Sequence, residues 1–381
     1  MKVAVILGTR PEIIKMSSII RECAARGLDC LVVDTGQHYD YEISQVFYET
    51  LHLPRPHYQL RVGSGTHGQQ TGRLLIEIER VLLAEKPDMV LVQGDTNTVL
   101  AGGLAASKLR IIVGHVEAGL RSFDRNMPEE TNRLLTDHLA DMLFAPTPEA
   151  EKNLLAEGIP ADRIFMTGNT IVDAVLHHLA IAERESHVLE ELHLSEGNYF
   201  LSTVHRSENV DCRERLVAIL QSFQAVCERF GLPLVLPIHP RTRKMLHTFG
   251  LVMPTQVLPI DPMGYLDFLQ LEAKAKMILT DSGGVQEEAC ILRVPCVTLR
   301  DNTERPETVM VGANSVAGVQ PEEVVTCAER MLSISRDWAN PFGDGKSCCR
   351  ILDIIQNSIM CHNAVSARVL SKADGERTKL R

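Results

Sequence analysis

A chain of 381 residues exceeds what one hydrophobic core usually organises, so two domains of ordinary size are expected. With 45% hydrophobic and 23% charged residues the composition is that of a globular protein and excludes a disordered one. The formal net charge of -10 argues against nucleic acid as a partner, and no run of about 18 apolar residues is present to span a membrane. The ten cysteines include no C-x-x-C pair, which speaks against a zinc site or a disulfide framework and for a reducing, cytoplasmic setting.

The opening run Met1 to Leu7 is cut off by Gly8-Thr9-Arg10-Pro11-Glu12 too early for a signal peptide and reads as a strand, Val3 to Leu7. A helix from Pro11 to Arg26, a strand from Cys30 to Val33 and a helix from Gln69 to Ala84 follow. The rhythm continues with strand Met89 to Val92, helix Asn97 to Lys108, strand Ile111 to Val113, helix Glu129 to Ala140 and strand Met142 to Ala145. Continuous apolar strands separated by amphipathic helices predict a parallel sheet covered on both faces. The helix Thr170 to Ala182 carries Ile171, Val172, Val175, Leu176 and Leu179 on one face, and the polar stretch Glu183 to Asn198 after it marks a domain boundary. Strands Tyr199 to Val204, Pro233 to Pro237, Lys276 to Leu279 and Pro295 to Leu299 then restart the pattern. The expected fold class is α/β, with two doubly wound Rossmann-like domains, residues 1–182 and 183–353, and a substrate in an interdomain cleft beyond the carboxyl ends of the strands. The last helix, Lys346 to Cys361, ends within 354–381 and leads into the charged tail Ser366 to Arg381.

Six strand ends share a polar alphabet: Gly8-Thr9-Arg10, Gly94-Asp95-Thr96, His115-Val116-Glu117, His205-Arg206, His239-Pro240-Arg241 and Asp281-Ser282-Gly283-Gly284. Any one of them reads as an ordinary helix cap; six on one rim point to a site. Ser282, Gly283 and Gly284 open a helix whose bare N–H groups suit an anion, with Arg10, Lys15, Arg206 and Arg305 as candidate cations for a diphosphate. Lys15 reads equally as a solvated residue of the first helix. Asp95, Glu117 and Glu129 are candidates for general acid and base work, although Asp95 and Glu129 also fit helix caps. His205 ends a strand in a polar loop and is a candidate for phosphate contact or proton transfer. Gly63-Ser64-Gly65-Thr66-His67-Gly68 matches G-x-G-x-x-G but lies far from the first strand-to-helix turn, so it reads as a loop and not as a nicotinamide site.

These blocks, with Pro128-Glu129-Glu130, the run Thr280 to Glu288 and Thr303-Glu304-Arg305-Pro306-Glu307, resemble the non-hydrolysing UDP-N-acetylglucosamine 2-epimerase family in unbroken order from Met1 to about Leu352. The resemblance implies a glycosyltransferase-B-like fold whose C-terminal helix crosses back onto the first domain, and a homodimer. It implies interconversion of UDP-N-acetylglucosamine and UDP-N-acetylmannosamine for surface-polysaccharide precursors, by loss of UDP to 2-acetamidoglucal and re-addition, with no cofactor and no metal. By position, Arg10, His205 and Ser282 to Gly284 would contact the diphosphate, Glu288 the ribose hydroxyls, Arg305 the phosphates or sugar, and Phe268 the uracil. Asp95, Glu117, Glu129 and His205 would share proton transfer, with Glu117 favoured as the base.

Met263 stands where many bacterial relatives have Gln, so one uracil contact passes to the backbone. Gln37, His38, Arg73 and His239 are candidate regulatory residues, because bacterial relatives are activated by a second substrate molecule through a Gln-His loop; Asp40 and the segment Pro237 to Arg241 depart from that pattern. Three rival readings remain: an epimerase of UDP-2,3-diacetamido-glucuronate, suggested by Gly65 to Gln69 and Arg121-Ser122-Phe123, a glycosyltransferase on the same fold, and a nucleotide-sugar sensor that keeps the fold without turnover, against which the intact carboxylate set speaks.

Overall fold

A computed structural model describes residues 1–37 and 41–358, with side chains of 41–45 outside the description. His38, Asp40 and the tail Ser366 to Arg381 therefore lie outside the described residues. The chain forms two compact units. The division falls inside the helix Thr170–Glu185, between Ala174 and Val175, earlier than the expected boundary, and the chain from Gly343 onward groups with the first unit.

In the first unit the strands β1 (Lys2–Leu7), β2 (Asp29–Asp34), β3 (Tyr58–Gln59), β4 (Met89–Gln93), β5 (Ile112–Val116), β6 (Met142–Ala145) and β7 (Ile164–Met166) form one sheet in the order β3-β2-β1-β4-β5-β6-β7. In the second, β8 (Phe200–Thr203), β9 (Leu234–Pro237), β10 (Val257–Ile260), β11 (Met277–Thr280), β12 (Cys296–Thr298) and β13 (Asn314–Val316) form another, in the order β10-β9-β8-β11-β12-β13. Every pairing is parallel. Both sheets are doubly wound: the chain moves outward in one direction, returns to the middle and moves out in the other, so the order reverses between β1 and β4 and again between β8 and β11. These are the two Rossmann-like units of a glycosyltransferase-B-like fold, and ligands of such sheets bind beyond the strand ends at the reversal.

Burial explains why the strands are apolar throughout. Helices cover both faces, so Val3 to Leu7 are all buried. The helix His67–Glu85 buries Leu74, Ile78, Val81 and Leu82, spaced three and four apart, in one core with Val99, Ala105 and Ala106 of the helix Asn97–Lys108. Each fully buried large aliphatic contributes about 1.5–3 kcal/mol. The second unit has its own cores on the two sheet faces, one around Phe200, Ile219 and Phe223, the other around Tyr199, Leu201 and Val235. The helical residues 347–358 return to the first unit as expected: Ser347 and Cys348 donate backbone N–H bonds to Asp173, and Arg26 reaches Asp353 at 2.6 Å and Gln356 at 2.8 Å.

Candidate active site

At the first reversal, β1 ends in Gly8-Thr9 and the helix Arg10–Ala25 begins. Gly8 admits no side chain, since a Cβ there would meet Thr35 Oγ1 at 2.0 Å and Thr98 Oγ1 at 2.6 Å. Glu12, in the first turn, is 2% exposed and accepts the backbone N–H groups of Gly8 at 2.6 Å and Thr9 at 3.0 Å. Its other oxygen accepts the Thr96 hydroxyl at 2.5 Å, so it ties the loop after β1 to the loop after β4 that carries Asp95. Burial pushes the Glu12 carboxyl up to about 7; its three hydrogen bonds pull the other way, and the charge of Asp95 adds to the rise.

One turn further along the same helix, Lys15 donates to both oxygens of Glu117 at 2.7 Å. Both side chains are largely buried, at 13% and 4% exposure, so Lys15 is no solvated surface lysine. Gln93 also donates to Glu117. The Glu117 backbone is left-handed, with φ 69°, and Glu117 and Ala118 both donate their N–H groups to the Phe144 carbonyl. That geometry turns the acid out of β5 at its carboxyl end.

Asp95 is paired with Arg133, whose Nε and Nη2 donate to one carboxylate oxygen at 3.0 and 2.6 Å. Arg133 comes from the helix Pro128–Leu139 and also binds Glu130 at 2.8 Å. Glu130 accepts the N–H groups of Ser122 and Phe123 and the Ser122 hydroxyl, so it is a buried structural anchor for the preceding loop. Glu129 beside it is half-buried and carries no ion pair or hydrogen bond among the described residues. Behind these acids, buried His115 donates from one ring nitrogen to Asp137 at 2.6 Å and from the other to the Gly94 carbonyl at 2.8 Å. Burial alone disfavours the imidazolium, but Asp137, the Gly94 carbonyl and the charge of Glu117 outweigh it and raise the His115 pKa. Asp137 also meets Arg121 at 2.7 Å; burial would raise its carboxyl, yet His115 and Arg121 hold it below the usual range.

Arg10 begins its helix, exposed, with its guanidinium 5.9 Å from the Phe47 ring centroid. A cation in the first turn opposes the helix dipole. Gln37 is buried and accepts the N–H and hydroxyl of Thr98 at 2.9 and 2.7 Å. An amide chain runs from it: Gln70 donates to the Gln37 carbonyl, Asn97 to Gln70, and Asn132 to both Asn97 and the Asp95 carbonyl. Arg73 is exposed on the helix His67–Glu85, and the stretch from Gly63 to Thr66 precedes that helix as irregular loop.

At the second reversal the organiser is Asp281, fully buried after β11, which accepts the N–H groups of His205 and Arg206 and the Asn209 amide. His205 lies with its ring 5.5 Å from that of His239, whose Nδ1 accepts the Arg241 N–H at the start of the helix Pro240–Phe249. Burial, then the charges of Arg206 and His239, lowers the His205 pKa against the opposing pull of Asp281, so the imidazole is neutral at neutral pH. Ser282 caps the helix Gly283–Ile291. Gly283 and Gly284 have no left-handed backbone, and a Cβ on either would meet nothing closer than 3.6 Å, so the chain's own packing does not demand glycine there.

Arg206 reaches Glu304 at 3.2 Å, and Arg305 reaches Glu287 at 2.6 Å. Burial would raise the Glu304 carboxyl, but Arg206, Arg300 and Arg305 together hold it below the usual range. Glu304 thus marks a concentration of positive charge beside the Gly283 turn. Phe268 is half-buried with Met263 against the second-unit core, on the helix Tyr265–Lys274, and Glu288 accepts the Tyr265 hydroxyl at 3.3 Å.

The first unit therefore gathers Arg10, Lys15, Asp95 and Glu117 at one reversal, and the second gathers His205, Arg206, Ser282, Gly283, Gly284 and Arg305 at the other. The residues that sequence reasoning missed as site supports are Glu12, Gln93, Glu130, Arg133, Asp137, Asp281 and Glu304; all are polar groups that hold a named site residue or its loop. Among the described residues one set of metal-type donors, Glu22, Cys348 and Cys349, lies within 4.8 Å, but Arg26 already neutralises Glu22 at 2.8 Å.

The sequence profile of the family described as UDP-N-acetylglucosamine 2-epimerase matches residues 21–356. A UDP-N-acetylglucosamine 2-epimerase of Methanocaldococcus jannaschii is 56% identical over 361 residues, covering 93% of this chain and 99% of its own. The crystal structure of the M. jannaschii UDP-GlcNAc 2-epimerase with UDP-GlcNAc and UDP superposes with a TM-score of 0.83, at 56% identity, over 94% of this chain and 100% of that one. A UDP-2,3-diacetamido-2,3-dideoxy-D-glucuronate 2-epimerase of Pseudomonas aeruginosa is 43% identical over 359 residues, 93% of this chain and 99% of its own. With carboxylates at one reversal, a glycine-and-arginine turn at the other and this extent of likeness, the chain belongs to the UDP-N-acetylglucosamine 2-epimerase family.

Proposed function

We propose that the protein interconverts UDP-N-acetylglucosamine and UDP-N-acetylmannosamine. The observation that carries this is Glu117, a nearly buried acid turned out of a strand end and held by Lys15 and Gln93 next to the Asp95–Arg133 pair. The C2 proton of the sugar lies beside no carbonyl, so its direct removal would leave an unstabilised carbanion. Departure of UDP with the C1–O electron pair develops positive charge at C1. Glu117 then takes the C2 proton, and the C2–H pair becomes the double bond of 2-acetamidoglucal. Return of a proton to the other face of C2 and re-addition of UDP at C1 complete the inversion. C2 is never oxidised, so the route needs no nicotinamide.

The Ser282 to Gly284 turn, His205, Arg206, Arg305 and Arg10 stabilise the departing diphosphate, Glu288 takes the ribose hydroxyls and Phe268 packs on uracil. Asp95 and Glu129 serve as the second proton carrier that inversion requires, and Glu129, without an ion pair, suits delivery. The more identical M. jannaschii relative favours the N-acetylglucosamine substrate over the diacetamido-glucuronate one. The nine described cysteines, all free thiols, fit a reducing, cytoplasmic setting.

Incubation with UDP-N-acetylglucosamine in deuterated water tests the reading. Solvent deuterium must enter at C2; its absence would exclude epimerisation and leave a transferase. NMR of the products from both candidate sugars fixes the C3 and C6 substituents. Glu117→Gln must abolish the exchange while UDP binding survives, and unchanged turnover would remove Glu117 from the chemistry.

A further inference from the structure

His115 is a buried group to which the chemistry above gives no part, and its surroundings fix its charge. It stands in β5 with 1% of its surface exposed, between two oxygens that act only as acceptors. Asp137 Oδ1 lies 2.6 Å from its Nδ1, and the Gly94 carbonyl 2.8 Å from its Nε2. A neutral imidazole carries one N–H, so it would satisfy one oxygen and turn a lone pair against the other. A proton on Asp137 would relieve that clash, but the other oxygen of this carboxylate accepts the Gly119 N–H at 3.2 Å and meets Arg121 at 2.7 Å. A guanidinium at that range holds the acid ionised. Both ring nitrogens of His115 therefore carry hydrogen, and the ring is a cation. Arg121 also meets Glu157 at 2.6 Å, so two cations and two carboxylates balance and no buried charge is left alone.

The partners of this cation are the two loops that carry acids. The Gly94 carbonyl belongs to the peptide that leads into Asp95, and the Gly94 N–H donates to the Val116 carbonyl at 3.2 Å, so the residue before Asp95 is bonded at both ends to β5. Gly94 has φ 86°, and Gly119, two residues after Glu117, has φ 85°. Glycines permit many conformations, and a loop built on them keeps one only where something holds it. His115 holds the first glycine, and its ion-pair partner Asp137, from the helix Pro128–Leu139, holds the second. We propose that His115 is a permanent imidazolium whose pairing with Asp137 locks the Asp95 loop to the Glu117 loop and so sets the spacing of these two acids. It is a positioning residue, and the role rests on the epimerase reading given above. Hydrogen bonds to a charged donor are roughly twice as strong as neutral ones, which suits a lock. Inversion removes a proton from one face of C2 and delivers one to the other, and a carrier displaced by about 1 Å costs on the order of a hundred-fold in rate.

NMR of the full-length enzyme carrying isotope-labelled histidine tests the charge. At about pH 8, where an ordinary imidazole is neutral, His115 should show hydrogen on both ring nitrogens, with the signals assigned by their loss in His115→Asn. A single ring proton overturns the proposal, and this readout on the unsubstituted enzyme stands even if a variant does not fold. The positioning role is tested by two half-substitutions. An asparagine amide nitrogen takes the place of Nδ1 and keeps the bond to Asp137; a glutamine amide nitrogen takes the place of Nε2 and keeps the bond to Gly94. Each leaves half of the lock, so in each the kcat for entry of solvent deuterium at C2 should fall about a hundred-fold, while KM and UDP affinity change less than about three-fold. Retention of kcat in either variant, or a rise in KM as large as the fall in kcat, overturns the role of His115. Absence of deuterium entry with the unsubstituted enzyme, its His115 ring protons in place, instead overturns the epimerase reading on which the role rests.

Discussion

Replacing Glu12 by Gln should make the first unit more stable, and only above mildly acidic pH. The Glu12 carboxyl rises on folding from an ordinary 4.5 to about 7. A raised acid binds its proton more tightly in the native state than in the unfolded one, so its contribution is fully favourable below pH 4.5 and is lost as pH climbs through about 7. At about 1.36 kcal/mol per pH unit that loss amounts to roughly 3 kcal/mol. A glutamine cannot ionise, yet its oxygen can keep the Gly8 and Thr9 N–H bonds and its amide can donate to Thr96. Urea unfolding followed by circular dichroism at several pH values should show the variant and parent coinciding near pH 5, at about the foot of the window. They should separate by up to about 3 kcal/mol at pH 8 and above. A difference that does not change with pH, or a variant weaker than the parent at alkaline pH, would refute the argument.

Gly283→Ala should leave thermal stability unchanged or raise it by up to about 1 kcal/mol, because the new methyl has room and alanine favours helix. UDP affinity measured calorimetrically should nevertheless fall at least ten-fold, or about 1.4 kcal/mol, and undiminished binding would show that no phosphate approaches that turn. Asp281→Ala removes the one acceptor shared by the His205 and Arg206 N–H groups and the Asn209 amide, so the urea midpoint of the second unit should drop by an amount equivalent to about 2–4 kcal/mol. Lys15→Met takes the cation away from a nearly buried carboxylate and should cost about 3–5 kcal/mol, much of it recovered in the Lys15→Met, Glu117→Gln double variant; additive losses in that cycle would mean the two groups do not interact.

The strands that sequence reading failed to find are β3, β7, β10 and β13, and these are the four edge strands of the two sheets. An edge strand has one neighbour and less buried surface, so it needs little apolar sequence to exist: Tyr58–Gln59 spans two residues, and Val257–Ile260 contains a proline. The central strands, covered on both faces, announce themselves as unbroken apolar runs. The same division holds at the site. Asp95, Glu117 and Ser282 to Gly284 stand at the ends of central strands, and their type and position are visible in one dimension. Their supports are not, because Arg133 reaches back 38 residues to Asp95 and Asp281 back 76 to His205. The contrast between Glu129 and Glu130 is likewise a matter of helix rotation: neighbours in sequence, one faces inward to anchor Ser122 and Phe123 and the other does not.

The left-handed backbone at Glu117 makes the direction of its side chain a property of the main chain and not of a chosen rotamer. A non-glycine residue there carries about 1–3 kcal/mol of strain that a glycine would remove. The strain is met once, when the chain folds, and no turnover has to search for the orientation again. Relief of that strain alone would not make Glu117→Gly a sturdier protein, because the exchange takes the carboxylate away from the nearly buried Lys15 ammonium, at about 3–5 kcal/mol.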